Sequence, residues 1–189
     1  EQQALVWVDV QGLRPGQASA IYAYYGNKQA KPGQDVAGSF APDYRLVWHF
    51  NGAGLPKDAT ANGANAVSGG EGRNAGGLIG SSLTLDGATP VAVPAAAFAA
   101  GPLSVSFWVK PGSDGALFTL PGAFSLVSEG GRLFIDQGGK RSAGAALPQG
   151  SWAHVALVSD GRKTSLYVGG QPAGEVAEAL AAASGNALI

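Results

Sequence analysis

The sequence predicts an all-β fold, a sandwich or barrel of short strands, and three features of the chain indicate this. Its 189 residues include 30 glycines and 11 prolines, about a fifth of the total against an average share of roughly 12%. Short apolar runs recur between these turn-forming residues, typically at intervals of about 8 to 12 residues. Apolar residues make up 46% of the chain, which is enough to bury a sizeable core.

Charge and composition exclude several classes of function. The chain has 12 basic and 13 acidic residues and a net charge of −1, so it lacks the basic patch that nucleic acid or an anionic membrane requires. Cysteine is absent, which excludes disulfides and cysteine-ligated zinc. The longest apolar stretch, 91–100, contains Pro94 and is too short to span a bilayer. The first residues do not form a signal peptide, so we expect any export signal to lie outside this sequence.

The first predicted unit comprises residues 1–44. Residues 4–10 and 19–25 alternate in the manner of β-strands, and the turn at Pro15 and Gly16 predicts that they form a hairpin. Residues 29–43 form a polar connector that contains prolines and lacks a long Gly/Ser run. We therefore expect a semi-rigid connection that packs the N-terminal strands against the rest of the protein.

The second predicted unit comprises residues 45–189. It begins with a strand at 45–50 and a long loop of small residues at 51–82, with one short strand around 64–67. The cleanest alternation is 103–110, where Leu103, Val105, Phe107 and Val109 should face the core together with Leu166 and Val168. A helical turn or two is expected only at 177–183. The other predicted strands are 83–86, 91–93, 116–119, 124–128, 132–136, 154–159 and 164–168.

Six motifs in this second unit occur in a family's order. They are Leu-Val-Trp-His-Phe at 46–50, the run 57–66, Ser-Leu-Thr-Leu-Asp-Gly at 82–87 with the strand at 91–94, and the segments 103–111, 150–158 and 165–170. Together they resemble the laminin-G-like family of concanavalin-A-type lectin and glucanase folds. The resemblance implies a two-sheet jelly roll over 45–189. The family usually continues into one or two strands with an acidic pair, so it also implies that the last strands are missing or replaced.

The N-terminal unit resembles a different family. Trp-Val-Asp-Val at 7–10 and the segment 21–27, which ends Tyr-Gly-Asn, are similar to the final strands of a domain of unknown function in exported bacterial proteins. Some members of that family accompany proton-channel subunits of the MotA/TolQ/ExbB type. The resemblance implies an exported, periplasmic or envelope protein, with a membrane-complex partner reached through regions outside this sequence.

Hard oxygen ligands cluster at the start of the second unit. Asp58, Asn62 and Asn65 lie in a turn-rich run where they could converge on Ca²⁺, which many laminin-G-like folds carry. The alternative is that they serve as turn and capping residues. Asp86, before Gly87, is a second candidate with the same alternative. No other cofactor is expected.

The remaining candidates are aromatic and imidazole side chains. His49 and His154 lie within apolar strands and are expected as hydrogen-bonded core or sheet residues. The tryptophans Trp7, Trp48, Trp108 and Trp152 could stack on sugar rings, but Trp108 and Trp152 are expected in the core. Tyr22 and Tyr24 share one strand face and could form an exposed platform or pack between the two units.

Catalysis is not expected. The chain has no G-x-S-x-G nucleophile elbow, and Glu129, Glu175 and Glu178 do not form the paired carboxylates of a glycosidase. The sequence therefore predicts a non-catalytic module that binds a glycan or a protein. The alternative is a structural periplasmic ectodomain of a complex with ExbB/TolQ-type channels, and a glycoside hydrolase is the third hypothesis.

Overall fold

The computed structural model describes residues 4–98 and 101–189. Within these ranges the chain forms β-strands and two short 3₁₀ helices, Ala37–Ser39 and Ala95–Ala97, but no α-helix. Neither 3₁₀ helix has the length and apolar composition that crossing a membrane would require. The strands are β1 (Arg73–Asn74), β2 (Ser82–Leu83), β3 (Ala92–Val93), β4 (Leu103–Val109), β5 (Gly115–Leu120), β6 (Phe124–Glu129), β7 (Arg132–Gln137), β8 (Lys140–Arg141), β9 (Ala145–Ala146), β10 (Ala153–Ser159), β11 (Thr164–Val168), β12 (Gln171–Val176) and β13 (Ala187–Leu188).

Two antiparallel sheets dominate the structure. The four-stranded sheet has the order β12-β11-β10-β4, and the seven-stranded sheet has the order β3-β13-β5-β6-β7-β8, with β9 also paired to β7. A third, two-stranded sheet joins β1 to β2. The pairings in all three sheets are antiparallel. The predicted all-β, two-sheet fold is confirmed.

The hydrophobic core lies between the two large sheets. Leu126, Leu133 and Ile135 of the seven-stranded sheet and Val155 and Leu157 of the four-stranded sheet are fully buried within one cluster. Each belongs to a strand whose buried positions alternate with more exposed ones, so each strand gives one face to the core. The seven-stranded sheet therefore keeps one face turned to solvent.

The residues predicted to face the core on β4 do so, although they are only half-buried. Leu103, Val105, Phe107 and Val109 pack against the cluster, whereas the residues between them are exposed. Because β4 lies at the edge of its sheet and pairs with β10 alone among the described strands, none of them covers its outer side. Leu166 is 1% exposed, and Val168 packs against the same cluster.

Two-residue Gly-Gly turns close three of the hairpins. They are Gly130–Gly131 between β6 and β7, Gly138–Gly139 between β7 and β8, and Gly169–Gly170 between β11 and β12. All six glycines have positive φ, from 58° to 77°. Type I′ hairpin turns require positive φ at both central positions, and glycine adopts it without steric cost. These turns set the register of the strands they join.

Several predicted elements are corrected. Residues 4–10 and 19–25 form no strand, because no described segment pairs with them and a strand needs a hydrogen-bonded neighbour. Residues 45–50 form only a single bridge, between Trp48 and Asp58, and 64–67 form no strand. The Ala-rich run 177–183 is not helical, since a segment this short seldom nucleates a helix by itself. The strands β1, β8, β9, β12 and β13 were not predicted.

The N-terminal segment nevertheless contacts the rest of the chain. The Trp7 ring stacks on the His49 ring with 4.7 Å between centroids, and Phe40 lies 6.4 Å from Trp7. His49 follows Trp48, which packs against the core cluster. The predicted packing of the N-terminal segment is therefore present only in part. Trp7 stacks on His49 and Leu5 lies beside Gly80, whereas Ile21, Tyr22, Tyr24 and Tyr25 are exposed.

Candidate functional site

A cleft opens on the outer face of the seven-stranded sheet, around the turn between β7 and β8. Its volume is about 410 Å³, and it is lined by residues 136–141. A second cleft of about 220 Å³ shares Asp136 and Gly138 with it and extends to residues 119–125. Both are shallow depressions that are open to solvent. The two adjacent clefts form the main candidate site and are called the cleft below.

Four side chains cross the cleft in a single row, one from each of four neighbouring strands. Thr119 on β5 is opposite Ser125 on β6, Ser125 is opposite Asp136 on β7, and Asp136 is opposite Arg141 on β8. The Ser125 hydroxyl donates a hydrogen bond to the Thr119 hydroxyl at 3.1 Å. Because strands are spaced about 4.8 Å apart, this polar row is about 14 Å long. It presents hydroxyl, carboxylate and guanidinium groups to solvent.

Arg141 organises one end of the polar row. Its Nε and Nη2 donate to the two carboxylate oxygens of Asp136 at 2.7 and 2.8 Å, and its Nη1 donates to Glu129 Oε2 at 2.6 Å. The hydrogen bonds to Asp136, and then to Glu129, raise the pKa of Arg141 above its usual value. These contacts use three of the five N–H donors of a guanidinium, and its side chain is 45% exposed. Arg141 therefore keeps two N–H groups for a ligand.

An aromatic ring lies beneath the guanidinium. The Arg141 Cζ atom is 4.9 Å from the centroid of the Phe134 ring, within the range of a cation–π contact. A Cβ atom added at Gly144 would collide with the edge of this ring, so the glycine allows the chain to pass close beside it. The ring supports the Arg141 guanidinium, although Phe134 itself does not line the cleft.

The turn between β7 and β8, next to Arg141, contacts the segment that follows β12. Gln137 is 3% exposed, and its Nε2 donates to the backbone carbonyls of Glu178 and Ala179 at 3.0 and 3.3 Å. Lys140 forms an ion pair with the Glu178 carboxylate. These contacts tie the β7–β8 turn to the segment that follows β12, and so hold the cleft in one shape.

Sequence reasoning missed this site. Each member of the polar row is an ordinary strand residue, and the row exists only because the register aligns β5 to β8. The available signal was the pair Asp136 and Arg141 on either side of the Gly138–Gly139 turn, since a two-residue turn places them opposite one another.

The three predicted metal ligands do lie together, as the organising centre of a loop. Asp58 Oδ1 accepts from the backbone N–H groups of Val47 and Thr60 at 2.9 and 3.0 Å. Its Oδ2 accepts from the Thr60 hydroxyl at 2.7 Å and from the Ala64 N–H at 2.9 Å. A carboxylate has about four lone-pair positions, and these four donors occupy them. Asp58 therefore links Val47, Thr60 and Ala64 and stabilises the loop.

The two asparagines complete this loop. Asn65 Oδ1 accepts from the Asp58 N–H at 2.9 Å, and Asn62 Nδ2 donates to the Tyr44 carbonyl at 2.9 Å. Trp48 Nε1 donates to the Ala64 carbonyl at 3.0 Å. Burial would raise the pKa of Asp58, but the hydrogen bonds from Val47, Thr60 and Ala64 together outweigh it and hold the pKa below its usual value. Calcium at this loop stays a prediction.

Asp86, the second metal-ligand candidate, has the geometry of a turn-forming residue. Its Oδ1 accepts from the backbone N–H groups of Ala88 and Thr89, each at 2.8 Å, and these bonds hold the pKa of this exposed carboxyl below its usual value. This is the arrangement of an Asx turn.

The aromatic and imidazole candidates are divided between two places. His49 is covered by Trp7, and burial lowers the pKa of His49. His154 contacts Trp108 edge-on at 5.2 Å on the outer face of the four-stranded sheet. The core position predicted for Trp108 is wrong, since it is 48% exposed: it alternates with Phe107, which takes the inward side. Trp152 is half-buried, and Tyr22 and Tyr24 are exposed, as a platform would require.

Comparisons with known proteins bear on both parts of the chain. Residues 1–52 match a family described as a domain of unknown function, DUF2341. No curated protein matches the chain. Two similar solved structures are domain 4 of AbnA, a GH43 extracellular arabinanase from Geobacillus stearothermophilus in complex with arabinotriose, and the carbohydrate-binding module CBM66 from Bacillus subtilis.

Both structural similarities are distant. The arabinanase domain is 19% identical with a TM-score of 0.45, and the match covers 60% of this chain and 63% of that one, less than two thirds of its length. The CBM66 module is 12% identical with a TM-score of 0.41, and the match covers 65% of this chain and 84% of that one. Because residues 85–189, more than half of the chain, match the concanavalin A-like lectin/glucanases superfamily, the protein belongs to that superfamily.

Proposed function

We propose that the protein is a non-catalytic module that binds glycans in the cleft. The observation that carries this proposal is the polar row, in which Arg141 and Asp136 present paired donors and acceptors. Sugars offer hydroxyl groups that both donate and accept, so they match the groups of this row. Membership of a superfamily of lectins and glucanases supports the same class of ligand.

The arrangement of carboxylates favours binding over hydrolysis. Glycosidases place two carboxyl groups on either side of the scissile bond, and one of them must carry a proton to act as the acid. Here Asp136 and Glu129 both accept hydrogen bonds from Arg141, so the guanidinium occupies the space between them. Both carboxylates are therefore bound to one cation, and they do not lie on opposite sides of a position for a scissile bond. We therefore expect no release of reducing sugar from any polysaccharide that the protein binds.

A glycan array tests this proposal. The wild-type protein should bind at least one class of immobilised oligosaccharide, and Arg141→Ala should reduce that binding at least tenfold. Arg162→Ala is the matched control, because Arg162 is an exposed arginine in the turn between β10 and β11 and lies outside the cleft. Circular dichroism should show both variants folded. Binding that survives Arg141→Ala unchanged would contradict the assignment to the cleft.

We also propose export to the periplasm or cell envelope, with a structural role beside ExbB/TolQ-type proton channels as the alternative function. The match of residues 1–52 to a separate family supports a second task for the N-terminal part. Exposed apolar side chains in that part, including Ile21 and Tyr24, offer a surface for a protein partner. Co-purification with a proton-channel subunit from the envelope fraction would support this alternative. If no channel subunit co-purifies and glycan binding is intact, the alternative function is contradicted and the glycan-binding function stands.

A further inference from the structure

We infer that the cleft selects neutral sugars that carry adjacent hydroxyl groups, and that it excludes sugars bearing carboxylate or sulfate groups. This inference rests on the proposed function and adds the class of ligand. It follows from two properties of the cleft, namely its balance of charge and the unused hydrogen-bonding positions of the Arg141 and Asp136 pair.

The charge around the cleft is balanced. Six charged side chains lie on β6, β7 and β8 or form an ion pair with one of these strands: the cations Arg132, Lys140 and Arg141, and the carboxylates Glu129, Asp136 and Glu178. Arg141 is bound by two carboxylates and Lys140 by one. Three cations and three carboxylates leave no net positive charge to attract an anionic sugar. A ligand carboxylate could accept only from the two remaining N–H groups of Arg141, and there it would face the like charges of Asp136 and Glu129.

The unused positions of the pair fit two adjacent hydroxyl groups. Arg141 retains two N–H donors, and each Asp136 oxygen, which accepts one bond from Arg141, retains a further lone pair. A sugar hydroxyl can therefore accept from the guanidinium and donate to the carboxylate at the same time. Two neighbouring hydroxyls on one ring can span the pair, while Thr119 and Ser125 offer further hydroxyl contacts along the row.

This mode of binding depends on the planar arrangement of the N–H donors in the Arg141 guanidinium, called the fork below. A guanidinium holds its donors in a rigid plane, which a lysine ammonium cannot reproduce although it carries the same charge. Arg141→Lys therefore separates the effect of charge from the effect of the fork. Asp136→Asn keeps the shape of the side chain but removes the charge and replaces one acceptor oxygen with a donor group.

The experiment is isothermal titration with neutral oligosaccharides and with matched oligosaccharides that contain uronic acid or sulfate. Neutral oligosaccharides should bind at least tenfold more tightly than their acidic counterparts, with little change between 50 and 300 mM salt. Arg141→Lys and Asp136→Asn should each weaken the binding of the neutral sugar about tenfold, whereas Arg162→Lys should not. The melting temperature of each variant checks that it is folded.

The failure of this inference differs from the failure of the proposed function. Tighter binding of acidic oligosaccharides, or full affinity in Arg141→Lys, would overturn the neutral-diol assignment and leave glycan binding in place. Absence of binding to every oligosaccharide, neutral and acidic, would overturn both.

Discussion

At the scale of single residues, the sequence can predict that polar side chains cluster around Asp58 without deciding whether they bind a metal or stabilise a turn. The sequence predicted that Asp58, Asn62 and Asn65 come together, and they do. The two possible roles, metal ligand and turn former, differ in whether the side-chain oxygens contact a cation or backbone N–H groups. That depends on backbone N–H groups of Val47 and Ala64, which a side-chain pattern does not reveal.

The hydrogen bonds of Asp58 predict a pH-dependent contribution to stability. Asp58→Asn should lower the free energy of unfolding by about 1 to 3 kcal/mol at pH 7, because the amide cannot accept all four bonds. The folded-state pKa of Asp58 is depressed, so this contribution is fully present above the unfolded value of about 3.9 and is lost as the pH falls through the folded-state pKa. Urea denaturation should show the difference between wild type and variant shrinking below about pH 4.

Asp43→Asn is the matched control for Asp58→Asn, since it removes the same charge from an exposed position. It should leave stability nearly unchanged at each pH. A difference between wild type and Asp58→Asn that stayed constant from pH 7 to pH 3 would show that the ionised carboxylate is not the stabilising species.

The same geometry predicts how the protein responds to calcium. We expect the melting temperature to be indifferent to added Ca²⁺ and to a chelator, because both Asp58 oxygens already accept two hydrogen bonds. A bound ion at about 100 times its Kd would instead stabilise the fold by about 2.7 kcal/mol. A melting temperature that rises with Ca²⁺ in the wild type but not in Asp58→Ala would establish the metal site and overturn the structural role.

At the scale of elements, the strands with a clear period of two were predicted well, and the weakly patterned ones were not. β4 was recovered because four apolar residues alternate with polar or exposed ones. β12 was missed because Pro172 and Gly174 interrupt its pattern, and its pairing with β11 contains a register shift. The polar row was missed for a related reason, since cross-strand neighbours follow from register and not from sequence separation.

The Gly138–Gly139 turn, which borders the cleft, should contribute to the stability of the fold. Gly139 has φ of 77° with nothing within 4 Å of an added Cβ, so Gly139→Ala tests backbone strain alone. The left-handed conformation should cost about 1 to 2 kcal/mol of stability. Gly112→Ala is the control, because Gly112 also has open space around it but no positive φ. Equal stability of the two variants in urea would contradict the type I′ turn.

At the scale of the whole molecule, the second unit forms the two-sheet sandwich, whereas residues 4–36 form no regular element. The alternating patterns at 4–10 and 19–25 favour strands, but a strand also needs a partner, and a pattern in one segment does not supply it. In this segment the Trp7 ring stacks on His49 and Leu5 lies beside Gly80, whereas residues 21–25 are exposed. The division of the chain at residues 44 and 45 stays a prediction.

The contact between Trp7 and His49 can be tested through the imidazole. Burial lowers the pKa of His49, and the Trp7 ring covers one face of it. Trp7→Ala should therefore move the pKa of His49 upward, toward the ordinary value of about 6.5, in an NMR titration of the ring protons. Tyr24→Ala, which removes a ring that is 93% exposed, should leave the titration unchanged. An unshifted His49 pKa in Trp7→Ala would mean that the two rings are not stacked in solution.

The most direct test of glycan binding in the cleft is a map of amide chemical shifts as an oligosaccharide found on the array is added. The largest changes should follow the polar row, at Thr119, Ser125, Asp136 and Arg141, with the β7–β8 turn. The four-stranded sheet should stay unperturbed, including the exposed ring of Trp108. Changes centred on Trp108 and His154, with the polar row unaffected, would place the binding site on the opposite sheet and contradict the account.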